Sequence, residues 1–134
     1  MSIALFFITH KGIASNLLTV GEAIIQKPNS NLSFIEVPMD APVNNILNDI
    51  EDKLKQLTTD DGLFFITDIY GGTPSNIALR LADKHSAHLL SGVNLPMVIR
   101  LLNYRDDPAE NLLQKALDGA HQGIRHDNAE TDNR

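Results

Sequence analysis

The stretch Ile3-Ala4-Leu5-Phe6-Phe7-Ile8-Thr9-His10-Lys11-Gly12 decides how the rest of the chain is read. A half-buried strand alternates apolar and polar residues, whereas Ile3 to Ile8 is apolar without interruption. Such a run, rich in Ile and Phe, predicts a strand over Ile3–Thr9 that is covered on both faces, as in a parallel sheet between helices. A second run of the same kind, Leu63 to Ile66, ends at Thr67-Asp68 and opens into Ile69-Tyr70-Gly71-Gly72-Thr73-Pro74. If both are parallel strands of one open sheet, His10 and Asp68 stand at the same carboxyl edge, where such sheets hold their ligands.

Between and beyond these runs the periodicity alternates. Ala14, Leu17, Leu18, Ala23, Ile24 and Ile25 make one helical stripe, closed by Pro28 and the turn Asn29-Ser30-Asn31. Leu32–Val37 reads as a second strand. Val43, Ile46, Leu47, Ile50, Leu54 and Leu57 keep helical spacing through to a turn over Thr58–Gly62. A third helix is expected to take Thr73 as N-cap and Pro74 as its first residue, with Ile77, Ala78, Leu81 and Ala82 inward. His88–Ser91 reads as a short strand, followed by the loop Gly92-Val93-Asn94-Leu95-Pro96, a short helix through Leu102 and a final helix over Ala109–Ala120. Strand and helix in strict alternation predict an α/β, doubly wound open sheet, mainly parallel, with helices on both faces. A single domain over 1–124 is expected, and a polar tail over 125–134 too poor in apolar residues to offset its ordering entropy.

Composition removes several classes of function. A formal net charge of −6 argues against nucleic acid, whose phosphates require clustered Lys and Arg. Cysteine is absent, so no disulfide or thiolate metal site exists. The apolar stretch at the start is too short for a signal peptide or a membrane span, so a cytoplasmic location is expected.

The chemistry rests on two places. A carboxylate that accepts the proton of one imidazole nitrogen fixes the tautomer and frees the other nitrogen to attack, which would make His10 a nucleophile oriented by Asp68. Gly71 and Gly72 let the backbone approach a bound group, and a helix starting at Thr73 turns free N–H groups toward the sheet edge, a setting for a phosphoryl anion. Thr9 and Thr73 could add hydroxyl donors. The plainer alternatives stay open: a solvated loop histidine, a turn carboxylate, and a Gly-Gly-Thr-Pro segment that is only a tight strand-to-helix connection. The segment lacks the Gly-Lys-Ser/Thr ending of a P-loop. His85 and His88 straddle a helix end and read as surface residues, and His121 and His126 flank the tail. No His-Glu-x-x-His or comparable cluster points to a metal. Arg105-Asp106-Asp107 reads as a solvated loop in which an Asp could cap the last helix.

Thr9-His10, Asp68 through Asn76, and Gly92-Val93-Asn94-Leu95-Pro96-Met97 together resemble the IIA component of the mannose family of the bacterial phosphoenolpyruvate-dependent sugar phosphotransferase system. The resemblance runs from about Ile3 to Gly123. It implies strand order 2-1-3-4 and a homodimer, often built by exchange of a C-terminal β-hairpin arm or strand. It implies that the carrier protein HPr phosphorylates His10, that His10 passes the group to a IIB partner, and that Asp68 orients the ring. Thr9, Gly72 and Thr73 would hold the phosphoryl group, with no metal or organic cofactor.

Tyr70 stands where the family commonly has Trp, and Thr73 where it commonly has Ser; ring and hydroxyl survive both changes. Some members continue into a fused IIB domain, whereas here a separate IIB is expected, with the protein at most peripheral to a membrane permease. The phosphotransfer subunit of dihydroxyacetone kinase shares the strand–histidine start but differs in the later loop. Competing readings are a regulatory IIA protein reporting phosphoenolpyruvate supply without a permease, a ligand-binding module in which His10 is incidental, and a metal-assisted hydrolase using His10, Asp68 and Asp106.

Overall fold

Strand β1, Ala4–His10, lies at the heart of the sheet because both of its faces are apolar, and the computed structural model, which describes residues 2–128, buries Ala4 to Thr9 completely. The further elements follow in order: α1 (Ala14–Ile25), β2 (Leu32–Val37), α2 (Val43–Leu54), β3 (Leu63–Thr67), α3 (Thr73–His85), β4 (His88–Leu90), α4 (Leu95–Asn103) and α5 (Ala109–Gln122). The four strands are parallel, in the order β2-β1-β3-β4, as the resemblance implied. Alternate residues of β1 feed two separate cores. Leu5 and Phe7 pack with Phe64 and Ile66 under α1, α4 and α5, where Leu18, Met97, Leu101 and Leu112 are buried. Ala4, Phe6 and Ile8 pack with Phe65 under α2 and α3, where Ile50, Ile77 and Leu81 are buried.

Register places the chemistry. His10 pairs with Val37 of β2, Thr9 with Glu36, and Ile8 with Thr67 of β3. Asp68, the next residue after Thr67, therefore emerges beside the end of β1. On the helical layer, α1 can lie close against α4 because Gly21 has no side chain: a Cβ there would come within 2.8 Å of Val98 Cγ1.

Element boundaries differ from expectation in a few places, each with a local cause. Helix α2 ends at Leu54 instead of Leu57, because the chain tightens into i→i+3 bonds, Gln56 N–H to Lys53 O and Leu57 N–H to Leu54 O. Leu57 still packs on the core from that turn. The expected cap of the last helix by Asp106 or Asp107 is not found. Pro108 occupies the N-cap without a side-chain bond, and Asp107 accepts from Lys115 Nζ at 2.6 Å. His85 and His88 are engaged rather than merely at the surface. His85 Nε2 lies 2.9 Å from Glu51, and the His88 ring meets Phe64 edge-on at 5.1 Å.

The largest correction concerns Arg105, expected in solvent and found only 5% exposed. Its guanidinium donates to the carbonyls of Ile3 (2.8 Å), Asn31 (2.7 Å) and Ser30 and to Asn29 Oδ1 (2.9 Å). Its own carbonyl accepts from the Ile3 N–H at 3.0 Å. One side chain thus ties the connection before α5 to the entrances of β1 and β2, binding the Ile3 and Ser30 carbonyls and sharing the Asn31 carbonyl with the Leu5 N–H. Burial draws its pKa down from the ordinary arginine range to about 10, so it stays charged at neutral pH.

Arg105→Ala would strand these acceptors, and a loss of about 3 kcal/mol is expected. Chemical denaturation of the variant checks this, and Arg105→Lys, keeping the charge without the fork, is expected to fall between. Equal midpoints for wild type and Arg105→Ala would show that the network carries no stability.

Candidate phosphoryl-transfer site

His10 is the last residue of β1, and its side chain keeps 39% of its surface exposed, while Asp68, just past β3, keeps only 9%. Asp68 Oδ2 lies 2.8 Å from His10 Nδ1 and accepts the His10 backbone N–H at 3.1 Å. Its other oxygen accepts the Ile69 N–H at 3.1 Å. An ionised carboxylate only accepts, so the network assigns the ring proton to Nδ1 and leaves the lone pair on Nε2. The backbone bond matters as much as the ring bond: it holds the carboxylate whichever way the ring turns. No other hydrogen-bond partner of the His10 ring is found among the described residues.

Two helices start at this edge, and their N-termini are treated in opposite ways. Helix α1 has Ile13 at its N-cap, which offers no side-chain acceptor. Its first donors are met from outside. Thr9 Oγ1 accepts the Ala14 N–H at 3.0 Å, and Glu36 accepts both the N–H and the hydroxyl of Ser15 at 2.9 and 2.7 Å. These bonds, first of all that from the Ser15 N–H, hold the Glu36 carboxyl below its ordinary value of 4.5, with Gly12 N–H and the Lys11 charge helping.

Helix α3 is left open. Thr73 was expected to cap it, but Gly72 occupies the N-cap at φ 88° and makes no side-chain bond. Gly72 wins the position because a left-handed φ suits a residue without Cβ. A Cβ on Gly72 would lie 3.9 Å from His10 Cε1. Thr73 is then the first helical residue, exposed, with Pro74 next to it. First-turn N–H groups have no intrahelical acceptor, so those of Thr73 and Ser75 remain to receive an anion. Ser75, unanticipated as a separate site residue, is fully buried in the same turn, and its Oγ has no partner among the described residues.

Of the expected residues, then, His10, Asp68 and Gly72 converge, and Thr73 opens the adjoining helix. Thr9 is at the site but faces inward: fully buried, its hydroxyl donates to the His10 carbonyl at 2.9 Å while accepting from Ala14. Its single donor is spent on the loop. Glu36 was not foreseen, since only the pairing of β2 with β1 brings it to Ser15. Asp106 belongs to the Arg105 loop at the opposite, amino edge of the sheet. Among the described residues no three His, Asp or Glu side chains stand together as a metal site.

Residues 4–117 match the protein family described as "PTS system fructose IIA component", EIIA-man. The chain belongs to this family. It is 29% identical over 128 residues to the mannose-specific EIIAB component of Escherichia coli strain K12, an alignment covering 93% of this chain and 39% of that protein. It therefore spans about two-fifths of that relative's length. It is also 35% identical over 54 residues to a fructose-specific EIIA component of Bacillus subtilis, covering 40% of this chain and 37% of that one. In fold it is similar to the EIIA phosphotransferase component from Streptococcus agalactiae, at a TM-score of 0.80 and 21% identity over 92% of this chain and 96% of that one. A mannose/sorbose IIA subunit from Enterococcus faecalis matches equally well, at a TM-score of 0.80 and 17% identity over 96% of both chains.

The Glu36 bonds generate a pH-dependent expectation. Because its folded-state pKa is lowered, the stability Glu36 supplies is fully present above the ordinary carboxylate range and is lost as pH falls through the folded value. Glu36→Gln should cost about 1 kcal/mol at pH 7, the scale of a lost helix cap. That difference should shrink as pH falls through the lowered folded-state value and the carboxylate takes up its proton. Urea unfolding of both proteins across pH measures it, and a gap constant with pH would remove the carboxylate from the account.

Proposed function

We propose that this phosphotransferase-system IIA component is a cytoplasmic phosphoryl carrier that accepts a phosphoryl group from HPr on His10 and passes it to a separate IIB partner, in the service of carbohydrate uptake. The observation that carries the reading is the double use of Asp68 Oδ2, bonded to the backbone N–H and to Nδ1 of His10, which presents Nε2 unhindered at an open edge. The open start of α3 lies beside that ring, through Gly72. No helix among the described residues is long and apolar enough to cross a membrane, which agrees with a carrier that meets a permease only through a partner.

In the reaction, the phosphorus–nitrogen bond of the donor's phosphohistidine breaks as His10 Nε2 bonds to phosphorus, and the departing imidazole takes up a proton. The His10 ring, already protonated at Nδ1, becomes cationic as Nε2 gives up its lone pair, and Asp68 stabilises that charge where it develops. Gly72 and the N–H groups opening α3, with the Thr73 hydroxyl, receive the phosphoryl oxygens. Thr9 acts through the loop, holding the His10 carbonyl to the start of α1. Transfer to IIB reverses the step on a second protein, and little beyond positioning and charge is required of the site. A homodimer, as the family resemblance implies, completes the reading.

Intact-mass spectrometry after incubation with phosphoenolpyruvate, enzyme I and HPr tests it. One acid-labile phosphoryl group per chain is expected, absent in His10→Gln. Asp68→Asn should fold normally yet be phosphorylated on the order of 100-fold more slowly, because an amide can turn its N–H₂ to Nδ1 and move the ring proton to Nε2. A wild-type chain that stays unmodified beside an active control IIA would overturn the function, and an Asp68→Asn variant phosphorylated at the normal rate would overturn only the role of Asp68.

A further inference from the structure

The fully buried hydroxyls among the described residues have partners, with one exception. Thr9 Oγ1 bonds to the His10 carbonyl and the Ala14 N–H, and Thr67 Oγ1 lies 3.3 Å from Ser91 Oγ. Ser75 is as deeply buried as either, at 0% exposed, and its Oγ has no partner among the described residues. A helical serine can turn its hydroxyl back to a carbonyl three or four residues earlier, which here means Gly72 or Gly71. No such bond forms, and the Gly72 carbonyl accepts the Asn76 N–H at 3.0 Å. A hydroxyl sealed from solvent and left unpaired is destabilising, so its place in the fold calls for a reason.

We infer that the Ser75 hydroxyl is a reserve donor for the phosphoryl group on His10, and the inference rests on the phosphocarrier reading above. Gly72 is the N-cap of α3, Thr73 and Pro74 follow, and Ser75 is the third helical residue. An N-cap and the residue three positions on face each other, which is why the two cap each other reciprocally in many helices. The direction in which Gly72 would carry a Cβ leads to His10 Cε1, at 3.9 Å, and Cε1 is bonded directly to Nε2. Ser75 therefore stands one turn behind the point where helix and ring meet. Pro74 creates the need for it. Proline has no N–H, so this first turn offers an anion only the N–H groups of Thr73 and Ser75. A phosphoryl group brings three terminal oxygens that only accept, and the Ser75 hydroxyl adds a donor from the buried side. Serine aims its hydroxyl by rotation about χ1 alone, so the donor is recruited without moving the helix. Water cannot compete for a bond made there, which raises its worth.

The test compares wild type with Ser75→Ala in the full chain, with and without a phosphoryl group on His10. Phosphoramidate, which transfers its phosphoryl group to imidazole with loss of ammonia, labels the ring without a carrier protein. In the unlabelled chain the urea midpoint of Ser75→Ala should equal or exceed that of wild type, because only an unpaired hydroxyl is lost. In the labelled chain the order should reverse. At equilibrium with phosphorylated HPr, the variant's constant for accepting the group should fall about tenfold, the scale of one hydrogen bond to a charged group. Ser75→Cys, close in shape but a weak donor, should lose most of that factor as well. A lower midpoint for unlabelled Ser75→Ala gives the hydroxyl a structural role and overturns the inference. An equal offset in both forms, an unchanged transfer equilibrium, or a Ser75→Cys variant that matches wild type overturns it too. A wild-type chain labelled by phosphoramidate but not by HPr removes the phosphocarrier reading, while the urea comparison still decides Ser75. A chain that neither donor labels overturns both.

Discussion

Everything at the site follows from β1 being paired in parallel on both sides at once. A strand whose two faces are both apolar can be satisfied only in the interior of a covered sheet, so Ala4 to Ile8 must take neighbours left and right and helices above and below. Parallel pairing then forces every strand to end at the same edge. His10 leaves β1 there, Glu36 and Val37 leave β2, and Thr67-Asp68 leaves β3. His10, Glu36 and Asp68, spread over 58 positions of sequence, are brought to one edge by packing that concerns none of them. The site rests on the hydrophobic core as a bracket rests on a wall.

The same edge gathers two helix N-termini, and the fold distinguishes them by what it lends each. Left alone, either would attract an anion. Glu36 and Thr9 fill the first turn of α1, which removes that end as a competitor and fixes the loop carrying His10. Helix α3 receives no such partner among the described residues, and Gly72 brings its start beside the ring. A negative group arriving at His10 therefore has one helix end to turn to. Specificity of placement comes as much from capping the wrong helix as from opening the right one.

Strands and helices were largely legible in the sequence because two-faced apolar runs and helical stripes are local signals, and here they agree with the tertiary structure nearly everywhere. The meeting of His10 with Asp68 was legible too, since parallel topology predicts a shared edge without a register. What escaped reading depended on atoms, not patterns. Glu36 looks like any polar residue near a strand end until β2 is set against β1. Arg105, between Tyr104 and Asp106, has the composition of a solvated loop, and only its bonds to the carbonyls of Ile3, Ser30 and Asn31 explain its burial. Thr73 had the right chemistry for an N-cap and lost the position to a glycine, because the left-handed backbone angle at the cap outweighed a side-chain oxygen.

The division of labour between the two edges of the sheet bears on how such a carrier can work. The amino edge is locked: Arg105 closes the entrances of β1 and β2 with several charge-assisted bonds to backbone carbonyls, which are strong because one partner is ionised. The carboxyl edge is tied by the Asp68–His10 pair and the Thr9 and Glu36 bonds, while Met39, Ile69 and Tyr70 on its loops are exposed. On the proposed function, two proteins would bind in turn at one nitrogen and both be released. Rim contacts that are apolar and weakly held suit brief association, whereas a ring of fixed charges would favour one partner's complement over the other's. On that proposal the precision of transfer would be set by the short hydrogen bonds within the chain, and the exchange of partners by the surface around them.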